Sequence, residues 1–429
     1  MSEKKISDAQ SLVIVSPVLW AVSTSRWGSY LPKEPIFLND ILLVMAFFAA
    51  SRLKVNKTQR ISKTRFAVYI FITWILIRSL YSFKGININF IRDLAPYGYF
   101  IYLFPLRKLW TNIDRVQKKK IEKWLNKAFV FHFMWTSLAF FFPFILSYLP
   151  YINQSQDIKL FTIRPDFDAV LMAITAYLAI MKFFTTNNFI NISIVLVCSI
   201  FIISQSSRSS FISFAVISIV FIIGKIRKST SAEKSITTFL LSMIAIVLIL
   251  NIVSDSKVGR KFIGTVSVFS EQNGSSNNAD GFGTANARIK SWNIVLSYMD
   301  ADPAKQIFGV GFGPDFMTDS GALRALVSSE VGSRALPRQP HNYALNTYAR
   351  LGILGFTLYF LVFTSLLRKS FENLDKNDID VMVLASLMFI ALVPISLLGV
   401  VSESPFGAIS MIFSLSVVLE KLEYKRIDK

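Results

Sequence analysis

The chain is ruled by apolar runs: twelve of its segments approach the roughly 20 residues that an α-helix needs to cross the hydrocarbon core of a bilayer. They fall near 9–25, 36–51, 66–83, 90–106, 124–149, 168–184, 189–205, 210–224, 236–253, 342–367, 381–399 and 405–419. In lipid every backbone N–H and C=O must be satisfied within the protein, so such a chain has one economical solution, a bundle of helices. The expected fold is therefore an all-α polytopic membrane protein of about 12 transmembrane helices. A composition of 53% hydrophobic and 17% charged residues, with mean hydropathy +0.48, agrees. Met1–Gln10 is polar and no small-residue cleavage pattern follows it, so the first run is expected as a retained span. The single cysteine, Cys198, lies inside an apolar run and offers neither a disulfide framework nor a thiolate metal site.

A net charge of +19 would suggest nucleic acid if it were gathered on a soluble surface. Instead Lys and Arg collect in alternate loops, at Arg52–Arg65, Arg107–Lys123, Lys225–Lys234 and Arg368–Lys376, which is the positive-inside pattern. Both termini are then cytoplasmic, and one large segment, 254–340, lies outside between spans 9 and 10. Its nine Lys/Arg are nearly balanced by eight Asp/Glu, so no nucleic-acid partner is expected. Three parts follow: 1–253 with spans 1–9, a periplasmic cap loop over 254–340, and 341–429 with spans 10–12 and a cytoplasmic tail. Within the cap, Gln272–Thr284 reads as a flexible lid. Ala285–Met299 reads as a helix, with Ile289, Trp292, Leu296 and Met299 at helical spacing.

With that orientation, the unusual polar residues gather on the outer side. Arg78 and Arg92 stand at the outer ends of spans 3 and 4, Arg164 precedes span 6, and Arg208 occupies the tight turn before span 8. Arg288 is on the cap helix, Arg334 and Arg338 precede His341 and Asn342 at the start of span 10, and Glu403 precedes span 12. A lone Arg at a span end is ordinarily a snorkelling anchor, but the charge rule disfavours Arg in short outer loops, so the group points to an anion. A lipid diphosphate fits, because guanidinium forks bind phosphate oxygens bidentately and keep their charge when partly desolvated. His341 at a helix N-terminus is placed to stay neutral and accept a proton from an attacking hydroxyl, while the plain alternative is an interfacial residue that helps cap the helix. Two further features have simpler readings. Asp166-Phe167-Asp168 has the spacing of a divalent-metal site, which recurs by chance at Asp300–Asp302 and Asp378–Asp380, so no metal ligand is assigned. The turn Gly309-Val310-Gly311-Phe312-Gly313 offers backbone N–H groups to a phosphate, although such turns are ordinarily only turns.

His341-Asn342 followed by Gly352 and Gly355, with Ala287-Arg288-Ile289-Lys290-Ser291-Trp292, Phe308–Gly313 and Ser207-Arg208-Ser209, resembles the signature segments of the O-antigen ligase and O-antigen polymerase superfamily of membrane glycosyltransferases. The resemblance implies transfer of a glycan from undecaprenyl diphosphate to an acceptor sugar, the lipid A core or a growing polysaccharide, in lipopolysaccharide or surface polysaccharide assembly. It implies His341 as base and Arg208 and Arg288, with Arg338 beside them, as the diphosphate clamp; Arg78, Arg92, Arg164, Asn342 and Glu403 are secondary candidates. It further implies no metal or other cofactor, membrane lipid and a chain-length regulator as partners, and a place in the bacterial inner membrane with the active site on the periplasmic face. A polymerase of the same superfamily is the first alternative. A lipid-linked glycan transporter is a more distant one, since transporters place their sites near the midplane and His132 within span 5 is the one residue that suits that reading.

Overall fold

The structure is a computed structural model, and it describes residues 6–33, 36–53, 61–85, 87–153, 157–186, 188–205, 207, 209, 212–220, 282–327, 338–374 and 380–424. The described chain is helical apart from two short antiparallel hairpins, β1 (Pro32–Lys33) with β2 (Ile36–Phe37) and β3 (Tyr151–Asn153) with β4 (Ile158–Lys159). The first half contributes α1 (Asp8–Ser29), α2 (Leu38–Ser51), α3 (Lys63–Ser82), α4 (Ile88–Gly98), α5 (Leu103–Asn112), α6 (Arg115–Phe141), α7 (Ile145–Tyr148), α8 (Pro165–Thr186), α9 (Phe189–Ser204) and a helical stretch α10 at 212–220. The cap follows as α11 (Phe282–Asp300), α12 (Pro303–Phe308), α13 (Phe316–Asp319) and α14 (Ala322–Val327). The chain closes with α15 (Tyr343–Asn373), α16 (Val381–Leu398) and α17 (Pro405–Tyr424).

Local signals set these helix starts. Ser7 with Gln10 and Asp114 with Gln117 form reciprocal capping boxes, and Asp380 accepts from the N–H groups of Met382 and Val383, so donors that the first turn leaves open are satisfied. Among the described residues α3, α15 and α16 are long and apolar enough to cross a membrane, and Leu38–Ser51, Phe189–Ser204 and Pro405–Glu420 are shorter apolar helices. This is the architecture of a polytopic helical membrane protein. α16 lies at the centre, almost wholly buried among α6, α8, α15 and α17, while Phe48, Leu80, Phe189 and Ile190 face outward, as side chains do toward lipid.

Several expected boundaries move. The run at 90–106 is not one α-helix: α4 passes through a 3-10 turn, Tyr99–Tyr102, into α5, with Pro96 and Pro105 each lacking the N–H that a continuous ladder requires. The run at 124–149 starts earlier, at Arg115, and ends at Phe141 before Pro143. Span 9 and the expected lid up to residue 281 lie outside the described residues, and 282–284 already belong to α11. The cap helix itself is where the periodicity placed it. Ala287, Ser291, Val295 and Met299 point inward, whereas Leu296 is exposed and Ile289 is on the outer side. The small Ala287 and Ser291 bring the helix close, and Val295 and Met299 then pack with Phe316, Met317, Ala322 and Leu326 against Leu345 and Ala349 of α15. The cap is thus fastened to the first two turns of α15, which directly follow His341 and Asn342.

Candidate active site

Asn342 begins α15 as its N-cap, its side-chain oxygen accepting from the Leu345 N–H at 3.0 Å. His341 immediately before it has φ of 53°, a left-handed conformation that is uncommon for a residue with a Cβ. The preceding carbonyl, of Pro340, accepts from the Trp292 indole of α11 at 2.6 Å. One turn back on α11, Arg288 donates through Nη1 to the Leu398 carbonyl at the end of α16, 2.9 Å away. The i, i+4 pair Arg288 and Trp292 therefore ties the cap helix both to the histidine segment and to the centre of the bundle.

Burial lowers the His341 pKa to about 3, with the positive charges of Arg288 and then Arg164 adding to the effect and Asp166 opposing it. The imidazole is neutral across the physiological range. Arg164, just before α8, is held by a bidentate pair with Asp166, Nε to Oδ1 at 2.7 Å and Nη2 to Oδ2 at 3.1 Å. Burial works against its charge, but Asp166 outweighs it and keeps the guanidinium pKa above its ordinary value. Behind this arch Asp168 accepts from the Arg164 backbone N–H at 2.6 Å and meets Nε2 of the fully buried His132 at 3.2 Å, and the same ring nitrogen lies 3.3 Å from Thr136 Oγ1. Two sequence expectations resolve here. His132 is bonded within the bundle, and the two carboxylates of Asp166-Phe167-Asp168 face an arginine and a histidine. Among the described residues no group of three His, Cys, Asp or Glu is placed to hold a metal ion. Arg26, near the C-terminal end of α1, is close enough to Arg164 and Asp166 for their charges to act on one another, and it was not among the residues that the sequence singled out.

The other arginines serve a second cluster. Asp93, buried in α4, accepts at Oδ2 from Arg338 Nη2 and the Gly313 N–H, each at 3.0 Å, and the same oxygen forms an ion pair with Arg350 Nη2 at 3.0 Å. Arg338 also pairs with Asp315 at 3.1 Å and donates to the Gly313 carbonyl at 2.7 Å. Burial opposes the Arg338 charge, yet its hydrogen bonds and ion pair with Asp93, together with Asp315 and Asp319, hold its pKa above the usual value. Arg350 donates to the carbonyls of Gly311 and Pro314, and Arg78 donates to that of Gly309. Arg338 and Arg78 thus support the glycine-rich turn and do not surround His341. Arg92 is exposed, and Arg208 and Arg334 lie outside the described residues.

The glycine-rich turn has a structural role. The N–H groups of Val310 and Gly311 donate to the carbonyls of Ala349 and Arg350, and that of Gly313 to Asp93, so none of these three is left to cradle a phosphate. Gly309 and Gly352, at φ of 78° and 69°, lie backbone against backbone, and a Cβ on either would overlap the other segment. Gly352 kinks α15, and Trp74 of α3 donates to the neighbouring Leu351 carbonyl at 2.9 Å. Glu403, in the 3-10 turn Val401–Glu403, has both carboxyl oxygens buried without a hydrogen-bond donor in good geometry. Burial raises its pKa to about 8, tempered by Arg350 and Asn346, so it is largely protonated at neutral pH.

Comparison with known proteins places this geometry. Residues 193–360 match the O-antigen ligase family. The chain resembles that family over a segment that includes α11, the glycine-rich turn, His341 and the Gly352 kink. It is also 22% identical over 214 residues to a protein of Rickettsia prowazekii named "putative polysaccharide ligase", a match covering 50% of this chain and 48% of that one, about half the length of each. The matched segment includes Arg288, Arg338 and Arg350 and leaves Arg26, Asp93, Arg164 and Glu403 to the flanking parts of the chain.

Proposed function

We propose that this chain is a membrane glycosyltransferase that moves a glycan from a polyprenyl diphosphate, undecaprenyl diphosphate in a bacterial inner membrane, to the hydroxyl of an acceptor sugar. The observation that carries the reading is a neutral imidazole with two guanidinium groups close enough to depress its pKa, held by the family-matched cap. A neutral His341 is available to take the acceptor hydroxyl proton, and the oxygen so activated attacks the anomeric carbon. The sugar–phosphate bond breaks as the new glycosidic bond forms, and the electron pair leaves on the lipid diphosphate. Arg288 and Arg164, with Arg208 of the sequence motif, stabilise that leaving charge, and this stabilisation grows as the bond breaks, which is the condition for acceleration.

Asn342 positions the base by starting α15 on the correct residue, and the Asp93, Arg338 and Arg350 cluster fixes the cap against that helix. The energy for transfer resides in the donor bond, so the reading requires neither nucleotide nor metal, and the site faces the periplasm with both termini in the cytoplasm. The test is reconstitution of the purified chain in liposomes with a polyprenyl-diphosphate oligosaccharide and, in parallel, a lipid A core acceptor or a second repeat unit. Transfer to the core marks a ligase and elongation of the repeat marks a polymerase. A His341→Ala variant that folds normally and still transfers would refute the assignment of the base, and no transfer by the unaltered chain to any acceptor would refute the reading itself.

A further inference from the structure

We propose that Arg26 is a specificity-determining residue: it holds the lipid-bearing phosphate of a diphosphate donor and so separates a sugar carried on polyprenyl diphosphate from the same sugar carried on polyprenyl monophosphate. The inference rests on the reading of this chain as a glycan-transferring enzyme and adds which guanidinium meets which end of the anion.

Contacts arrange three arginines in a row. Arg288 reaches the Leu398 carbonyl at 2.9 Å, and the next residue, Gly399, borders Asp166, where a Cβ would lie 3.9 Å from Oδ2. Asp166 in turn holds Arg164 through both of its oxygens. Just before Arg164, Phe161 and Ile163 pack with Trp27 and Tyr30 of α1, and the Trp27 and Phe161 rings meet edge to face at 5.5 Å. Arg26 immediately precedes Trp27, and its guanidinium lies 5.9 Å from the Tyr30 ring centroid. The order is therefore Arg288, Arg164, Arg26, with Arg164 in the middle. The charges agree. Burial is the first influence on both His341 and Arg26; after it, His341 is acted on by Arg288, Arg164 and Asp166, and Arg26 by Arg164, Tyr30, Asp166 and Asp168.

An arginine at the end of a helix in a membrane protein is ordinarily a snorkelling anchor, and two observations set Arg26 apart. A snorkelling side chain keeps its whole guanidinium in the wet headgroup layer, whereas Nε of Arg26 is enclosed and without a hydrogen-bond partner in a half-buried residue. Arg26 also makes no hydrogen bond or ion pair among the described residues, although a second guanidinium stands beside it. The nearest carboxylates are committed elsewhere, Asp166 to Arg164 and Asp168 to His132 and the Arg164 N–H. Like charges gathered in this way call for an anion. A diphosphate has a charge on each phosphate, so guanidinium forks at both ends of the row can read both. Arg288 shares its helix with Trp292, which holds the segment leading to His341, so the sugar-bearing phosphate belongs at that end. The lipid-bearing phosphate then falls to Arg26.

The experiment uses the full chain in a maltoside detergent, with one sugar on polyprenyl diphosphate and on polyprenyl monophosphate as the two probes, and reads binding by titration. The unaltered chain is expected to prefer the diphosphate. Arg26→Gln should weaken the diphosphate about tenfold and leave the monophosphate unchanged, and Arg26→Lys should restore part of the preference, because charge returns without the fork. Neither substitution removes a bond within the described protein, so Tm should hold. In reconstituted transfer, Arg26→Gln should raise donor KM about tenfold with kcat preserved, since the bond that breaks is at the other phosphate. Equal weakening of both probes, or of neither, overturns the proposal, as does a fall in kcat at constant KM. A variant that binds both probes normally but loses stabilisation by added phospholipid would mark Arg26 as a headgroup anchor and overturn it too. A diphosphate preference that depends on Arg26 in a chain that transfers nothing would remove the transfer reading and leave the subsite standing.

Discussion

Replacing Asp93 by Asn removes one charge from a site where two guanidinium groups converge on a single carboxylate oxygen at 3.0 Å. In the native arrangement Arg338 and Arg350 are balanced by Asp93 and Asp315. Asparagine keeps the volume and an oxygen to accept from the Gly313 N–H, so the substitution isolates the charge. Arg338 retains Asp315, but Arg350, only 1% exposed, loses the carboxylate that it pairs with among the described residues. Stranding one buried charge in this way costs about 3–5 kcal/mol, far more than the ~1 kcal/mol of an exposed pair. The measurement is unfolding in a fixed detergent by thermal or SDS titration, with Arg350→Met and the double variant alongside. Asp93→Asn alone should be strongly destabilised and Asp93→Asn/Arg350→Met should recover a large part of the loss, because no uncompensated charge remains. Asp93→Asn within about 1 kcal/mol of the unaltered chain, with no coupling to Arg350, would refute the reasoning.

The depressed pKa of His341 predicts that kcat/KM, which reports the free enzyme, shows no acid limb near the ordinary histidine value of 6.5; an inflection there that vanishes in a donor-binding control would contradict a buried neutral base. The same shift has a stability consequence: the unfolded chain takes up the proton first, so stability falls as pH drops from 6.5 toward about 3, and His341→Ala should flatten that fall in acid unfolding. Glu403 acts in the opposite sense. Its raised pKa gives stability that is present below 4.5 and lost as pH rises to about 8, so Glu403→Gln should remove the alkaline decline in Tm between those limits. Arg338→Gln and Arg288→Lys should separate structure from donor binding. The first should lower Tm with little effect on donor KM in the protein that remains folded. The second should leave Tm nearly unchanged and raise donor KM about tenfold, because a point charge cannot reproduce the guanidinium fork.

The sequence made the helical membrane architecture, the cap helix and the His341-Asn342 start of α15 legible, because hydropathy, helical period and an N-cap residue are local properties. It also directed attention to Arg288 and Arg164 through the excess of arginine in the segments expected on the outer side. What it missed follows from the question asked of it. Looking for positive charge near the outer face ranked Arg338 with the diphosphate ligands, since nothing local reveals that Asp93, 245 residues earlier, is its partner. Asp93 and Arg350 both stand within apolar runs, and a charge inside a span was the available signal. The buried face of α11 was not legible from apolarity, because Leu296 is exposed while the small Ala287 and Ser291 are buried by close packing. The glycine-rich turn has the composition of a phosphate loop, and only the tertiary fold shows its N–H groups directed at the kinked backbone of α15.

An imidazole whose pKa lies near 3 is a poor proton acceptor in the empty site, and on the proposed function this is informative about order. The depression comes first from burial and then from Arg288 and Arg164. A diphosphate bound between those guanidinium groups adds negative charge to the same surroundings, which favours the imidazolium and raises the histidine pKa toward the working range. Donor binding would then convert His341 from an idle neutral group into an effective base, at the moment when an acceptor hydroxyl can be used. The empty site, by contrast, would not deprotonate passing hydroxyls. The pH dependence of kcat, which reports the loaded enzyme, should accordingly show its acid limb at higher pH than that of kcat/KM. Coincident acid limbs would mean that the donor phosphate does not share the field of Arg288 and Arg164.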